Sequence, residues 1–219
     1  MASRTLRGKK ILITAGPTHE ALDPVRYLGN RSTGKMGIAL AEEAHRMGAK
    51  VILVLGPTHI RPDHPEIDLI CVETAQQMFD ECVNIFPSVD IAIMAAAVAD
   101  YRPKTVSSQK IKKNDSELTI ELERTQDILQ SLGTAKKPGQ FLVGFALETH
   151  NEIANAKAKL KRKNADMIVL NSLQDEGAGF GVDTNRINLI FNNGNIIRFE
   201  LTSKQKAANN ILENVAAAF

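Results

Sequence analysis

The strongest constraint in this sequence is a set of short apolar runs that show no polar alternation. Lys10-Ile11-Leu12-Ile13-Thr14, Lys50-Val51-Ile52-Leu53-Val54-Leu55 and the stretch from Val89 to Ala97 each hold an unbroken apolar run, Ile11 to Ile13, Val51 to Leu55 and Ile91 to Ala97. A strand with one wet face alternates apolar and polar residues, whereas these runs must be covered on both faces. Between them lie segments with helical periodicity. Lys35 to Met47 places Met36, Leu40, Ala44 and Met47 on one face, and Gly48 is placed to end that helix. Thr74 with Gln77 forms a capping-box signature for a helix running to about Phe86. Strands alternating with amphipathic helices predict an α/β fold built on a doubly wound, mostly parallel sheet.

The rhythm resumes with a strand at Phe141 to Phe145, a helix from Thr149 to Arg162 with Thr149 and Glu152 as a capping box, and a strand at Ala165 to Leu170. Ile187 to Phe191 and Ile196 to Phe199 form a hairpin around Asn192-Asn193-Gly194. A last helix, from about Ser203, presents Ala207, Ile211 and Val215 on one side. Tyr101 to Glu123 breaks the pattern: between Pro103 and Leu118-Thr119-Ile120-Glu121-Leu122 there is no room for a helix. It reads as a protruding β flap, marginal alone, that packs either on another subunit or back onto its own sheet.

A chain of 219 residues suits one domain spanning 1–219. No run reaches the roughly 18 to 20 apolar residues of a membrane helix, and the first residues have no apolar core resembling a secretory signal. A net charge of +2 gives no reason to propose nucleic acid as a partner. The two cysteines, Cys71 and Cys82, lack metal-motif spacing and suit a reducing compartment, so a cytoplasmic location is expected.

Ligands of doubly wound sheets bind beyond the carboxyl ends of the strands. The loop Gly29-Asn30-Arg31-Ser32-Thr33-Gly34-Lys35-Met36-Gly37 has phosphate-loop spacing, but Met36 replaces the hydroxyl that holds magnesium. Its glycines, hydroxyls and amides at a helix start still favour an anion. Ala95-Ala96-Ala97-Val98-Ala99-Asp100 removes side-chain bulk at a strand end, so a planar ligand can lie against backbone while Asp100 faces a ribose hydroxyl or a metal. Lys110-Ile111-Lys112-Lys113 either neutralises a triphosphate or stands as a solvated charge run, and the cations from Lys157 to Lys163 suit a helix C-terminus.

Taken in order, these motifs, together with Ile13 to Thr18, Asp23-Pro24-Val25-Arg26-Tyr27 and Val143-Gly144-Phe145-Ala146, closely resemble the phosphopantothenate–cysteine ligase family of coenzyme A biosynthesis. The resemblance implies a Rossmann-like fold and amide formation between 4′-phosphopantothenate and L-cysteine through an acyl-cytidylate, with CTP and Mg2+. It implies a homodimer in which the segment around Lys110 reaches toward the neighbouring active site, and Asn30, Lys110 and Arg26 as catalytic residues. It implies Met94, Ala95, Ala96, Asp100, Lys110, Gln126, Asp127, Ile128, Leu129, Phe145, Lys159 and Lys163 at the nucleotide, and Gly29, Ser32, Thr33, Gly34, Lys35 and Gly37 at the phosphate and substrate loop. Gln126 stands where relatives are expected to have proline, and the metal ligands stay unassigned. Relatives are often fused to a flavin-dependent decarboxylase, whose half is missing here, so no FMN is expected in this chain.

Two other readings compete. A nicotinamide-dependent oxidoreductase would use the glycine-rich helix start, but Leu55-Gly56-Pro57 offers no acid to a ribose. A non-catalytic nucleotide-binding regulator would keep Ala96 to Asp100 without needing Asn30 or Lys110.

Overall fold

The structure, a computed structural model, describes residues 5–113, 117–148, 150–172 and 182–219. Eight strands form one sheet: β1 (Lys10–Ala15), β2 (Lys50–Leu55), β3 (Asp68–Cys71), β4 (Ile91–Met94), β5 (Phe141–Glu148), β6 (Met167–Ser172), β7 (Ile187–Phe191) and β8 (Ile196–Arg198). Their order is β8-β7-β6-β5-β4-β1-β2-β3. Pairing is parallel from β3 to β6, while β7 and β8 add an antiparallel edge. The chain first winds outward from β1 to β2 and β3, then returns to lay β4 on β1's other side. The crevice between β1 and β4 is therefore the topological switch point, where open α/β sheets bind ligands.

Alternate residues of the apolar strands enter opposite layers, which is why both faces had to be covered. Ile11, Ile13, Leu53 and Val143 pack with α1 (Lys35–Arg46) and α5 (Lys204–Ala218). Leu12, Val54, Leu142 and Ile168 pack with α2 (Ala75–Ile85), α3 (Ile128–Ala135) and α4 (Glu152–Arg162). Truncating one of these buried aliphatics to alanine costs about 2–5 kcal/mol.

The Thr74–Gln77 capping box is present in both directions, and Gly48 adopts φ 90 just past α1. Ser203 caps α5, its hydroxyl accepting from the Lys206 amide at 3.2 Å. The expected Thr149 cap lies outside the described residues; the position before α4 is Asn151, in the left-handed region at φ 47. The run expected to continue as strand to Ala97 leaves the ladder after Met94, because Ala96 and Ala97 bond across to the exit of β1.

Two further pieces frame the crevice. His19–Ala21 and Tyr27–Gly29 pair as a small hairpin, and Tyr101–Pro103 pairs with Leu122–Arg124. The second pairing is the base of the expected flap. Among the described residues between 104 and 121 none is in a strand, so the ribbon is laddered only at its root. Val106, Leu118, Ile120 and Leu122 stand exposed along it.

Candidate active site

At the carboxyl ends of β1, β4 and β5 the described residues enclose a cleft of about 880 Å³. That volume lies within the usual range for small-molecule sites. Its floor is the main chain from Met94 to Val98. Buried hydroxyls and carbonyls hold this floor in place. The Ala96 amide donates to Thr14 Oγ1 at 3.2 Å, the Ala97 amide to the Gly16 carbonyl at 2.9 Å, and the Ala99 amide to Thr18 Oγ1 at 3.0 Å. From the other side Thr125 Oγ1 donates to the Ala99 carbonyl at 2.6 Å. The small side chains of Ala95 and Ala96 thus leave a flat shelf of backbone, fixed by neighbours.

One wall is the start of α1, contributed by Ser32, Thr33, Gly34, Lys35 and Gly37. Gly34 precedes the helix at φ 79, a conformation that glycine adopts without strain. At Gly37 a Cβ would come within 2.5 Å of the Ala15 Cβ, so α1 can approach β1 this closely only without a side chain there. That approach brings the helix's first unpaired amides to the end of β1, a place suited to an anion. Lys35 adds a cation, paired with Asp183 at 2.6 Å.

The opposite wall is apolar below and cationic above. Ile128, Leu129, Phe145 and Met94 line its lower part. Lys159 Nζ donates to the Phe145 carbonyl at 2.8 Å, and its burial lowers its pKa from the ordinary lysine value. Lys163 is buried and bonds Asp127. Burial pushes the Asp127 carboxyl up, but the Lys163 ammonium, the Gln130 amide and the charge of Lys159 outweigh it and hold the group below its usual range. Asp127 also caps α3, accepting from Gln130 at 2.9 Å.

The sequence-predicted residues divide into two groups. Ser32 to Lys35, Gly37, Met94 to Ala96, Asp100, Gln126 to Leu129, Phe145, Lys159 and Lys163 all line the cleft. Asn30, Gly29, Arg26 and Lys110 do not. Asn30 stands at the cleft's edge, where its Nδ2 donates to the Ala97 and Val98 carbonyls at 2.9 and 3.1 Å. Lys110 is exposed, outside its own chain's cleft. Arg26 is engaged elsewhere: it binds Asp23 at 2.5 Å and donates to the Ile111 carbonyl at 2.9 Å. Asp23 in turn accepts from the Ile111 amide at 3.1 Å. The Asp23–Arg26 pair therefore ties down the arm residue that follows Lys110.

This tie fixes a pH response. The Arg26 guanidinium, helped by the amides of Val25, Ile111 and Arg26, holds the Asp23 carboxyl well below its ordinary 3.8. A depressed carboxyl contributes stability above its unfolded pKa and loses it only as pH falls through the lower folded value. Carbon-13 NMR of the Asp23 carboxylate should show it still ionised at pH 3.8. Half-protonation there would mean the tie is not formed in solution.

Several lining residues carry no motif. Lys204, the first residue of α5, is 8% exposed and donates to the Thr184 carbonyl at 3.0 Å. Burial lowers its pKa. Asn185 and Asn171 lie nearby along the cleft, and the buried Asn171 Oδ1 has no hydrogen-bond partner among the described residues. A lysine at the head of an amphipathic helix was the one available signal for Lys204. Cys82, by contrast, is packing: burial pushes its thiol up to about 12.

Residues 6–219 match the family described as DNA/pantothenate metabolism flavoprotein C-terminal domain. The chain belongs to this family. It is 46% identical over 215 residues to the coenzyme A biosynthesis bifunctional protein CoaBC of Bacillus subtilis, covering 98% of this chain and 53% of that protein. It is 52% identical over 215 residues to a cysteine/cysteine sulfinic acid decarboxylase from an unknown prokaryotic organism, covering 98% and 60%. The crystal structure of the C-terminal domain of a CoaBC protein superposes with a TM-score of 0.84 at 43% identity, covering 99% of this chain and 98% of that domain. The chain thus spans between half and two thirds of these two curated relatives, yet nearly all of a CoaBC C-terminal domain. The family's doubly wound sheet is the one found here. Among the described residues no helix is long and apolar enough to cross a membrane.

Proposed function

We propose that this chain is a phosphopantothenate–cysteine ligase domain, joining 4′-phosphopantothenate to L-cysteine at the expense of CTP. The observation that carries the reading is the cleft at the switch point, where a backbone shelf, a helix N-terminus and the ammonium groups of Lys159 and Lys163 face one volume. A nucleotide needs a flat seat for its base and positive charge for its phosphates, and the cleft supplies both.

In the first step a substrate carboxylate oxygen attacks the α-phosphorus of CTP, forming an acyl-cytidylate and releasing pyrophosphate. Two anions must be brought together, so the cations around them set the rate. In the second step the amine of cysteine attacks the acyl carbon, loses a proton, and CMP leaves with its electron pair. The cleft fits a Mg2+ ion: Asp100 lines its rim with an exposed carboxylate, and such ions commonly bind one or two carboxylates plus phosphates. When bound, the ion would neutralise phosphate charge.

Lys110 is assigned to a neighbouring subunit's cleft in a homodimer. The exposed apolar residues of the flap and the tie at Ile111 support an arm held outward from its own site. The bifunctional name of the longer relatives supports a flavin-dependent decarboxylase as a fused domain or partner of this chain, and we assign the reaction to the cytoplasm.

Incubation with 4′-phosphopantothenate, cysteine, Mg2+ and CTP or ATP tests the reading. Pyrophosphate release should require phosphopantothenate, and CMP release should further require cysteine. No pyrophosphate with either nucleotide would remove the proposal.

A further inference from the structure

The connection between β2 and β3 is a parallel crossover without a helix. Residues 56–67 leave the carboxyl end of β2 and run back beside α1 to the start of β3. Such a segment makes few ladder hydrogen bonds, so its position depends on local anchors. Thr58 Oγ1 donates to the Thr33 carbonyl at 2.9 Å near its start. Near its end the Asp63 amide donates to Glu42 Oε1 at 3.1 Å, and Ile67 is buried in the α1 layer.

Those last two anchors bracket a tight turn. The Ile67 amide donates to the His64 carbonyl at 3.2 Å, with Pro65 as the first central residue. Proline presets the backbone angle that such turns need there. The turn holds His64 and Glu66 over the last turn of α1, beside His45. The imidazoles of His45 and His64 have ring centroids 4.8 Å apart, and His45 Nε2 is 3.9 Å from Glu66 Oε2. One ligand atom from each of the three residues falls within a 4.8 Å span.

We propose that His45, His64 and Glu66 bind a borderline divalent cation of the Zn2+ type, which fastens the crossover to α1. Two imidazole nitrogens and one carboxylate are a donor set for Zn2+, whereas Mg2+ and Ca2+ take oxygen ligands. A tetrahedral centre with bonds of about 2.1 Å sets its donors roughly 3.4 Å apart. The widest pair needs to close by no more than about 1.4 Å on that geometry, and His45 and Glu66, 3.9 Å apart, by less. His64 and Glu66 are exposed and His45 is partly so, leaving their side chains room to turn inward. Three protein ligands leave a fourth position for water.

The site is separate from the cleft. Lys35 opens α1 at the cleft, and His45 comes ten residues later, about 15 Å further along the helix. The bound ion is therefore a structural clamp, and it does not depend on the ligase reading.

Titration of the purified chain with Zn2+ alone tests this. Calorimetry should show one equivalent bound, and Co2+ in its place should give the visible absorption of a four- or five-coordinate centre. The thermal midpoint should rise by about 3 °C or more with saturating Zn2+, and stay unchanged with Mg2+. His64→Ala and His45→Gln should each weaken Zn2+ binding on the order of tenfold or more. The metal-free midpoint of each variant shows that it folds, and His64→Asn serves where His64→Ala does not. No saturable binding, or binding equally tight in both histidine variants, would overturn the site.

Discussion

A heterodimer made from one Asn30→Asp chain and one Lys110→Gln chain should recover about half of wild-type ligase activity, although each parent homodimer is nearly inactive. The argument rests on where the two residues stand. Asn30 is fixed at the edge of its own cleft by the Ala97 and Val98 carbonyls, while Lys110 is exposed and outside it. If Lys110 serves the neighbouring cleft, the heterodimer assembles one site with intact Asn30 and intact Lys110, and one with neither. If Lys110 serves its own chain, both sites carry one lesion and nothing is recovered. Lys110→Gln alone should slow pyrophosphate release by on the order of 100-fold or more, since it removes a charge opposite two approaching anions. Two affinity tags allow the mixed species to be purified and assayed. A heterodimer as inactive as its parents would end the shared-site proposal.

Asn30→Asp by itself should separate the two half-reactions. Asn30 Nδ2 donates to two main-chain carbonyls of the shelf. A carboxylate there places another oxygen against these two and, on the proposed reading of Asn30 as a catalytic group turned to the acyl carbon during the reaction, adds negative charge where an oxyanion develops. Cysteine-dependent CMP release should fall by about 1,000-fold. Pyrophosphate release in a single turnover should be affected much less, so the acyl-cytidylate accumulates and is visible by mass spectrometry after a rapid quench. Equal loss in both half-reactions would give Asn30 a different part, that of a clip holding the shelf.

The central sheet was readable because its information is local. Uninterrupted apolar runs such as Ile11 to Ile13 and Val51 to Leu55 can be stable only as strands covered on both faces. The elements that escaped reading depend on distant partners. The His19–Ala21 and Tyr27–Gly29 strands are three residues each; a stacked His19–Tyr27 pair 3.6 Å apart and a Glu20 carboxylate accepting from the Ala75 amide at 2.8 Å support them. Asp68–Cys71 is a short, half-exposed edge strand whose apolar run, Leu69 to Val72, is only four residues long. The eight residues of α3 contain Gly133 and Thr134, which dilute its helical signal, although Asp127 was a usable cap.

The cleft divided in the same way. Met94 to Ala96, Gln126 to Leu129, Phe145, Lys159 and Lys163 line it because they lie toward or beyond the carboxyl ends of strands, or at the end of the helix α4. Arg26, expected among the catalytic groups, does not line this chain's cleft; its guanidinium binds Asp23 and donates to the Ile111 carbonyl, partners that no local motif announces. Lys204, Asn171 and Asn185 arrive from separate parts of the chain and share no spacing that a motif could register.

The alanine shelf has an evolutionary corollary. A platform read through its peptide groups is indifferent to most exchanges among small side chains upon it, so its shape is inherited through its props: Thr14 and Thr18 beneath, and Thr125 beside. On the proposed reading, changes that tilt the seat, and so retune which flat molecule rests there, should arise at these three threonines, two of which also line the cleft, as readily as on the shelf itself.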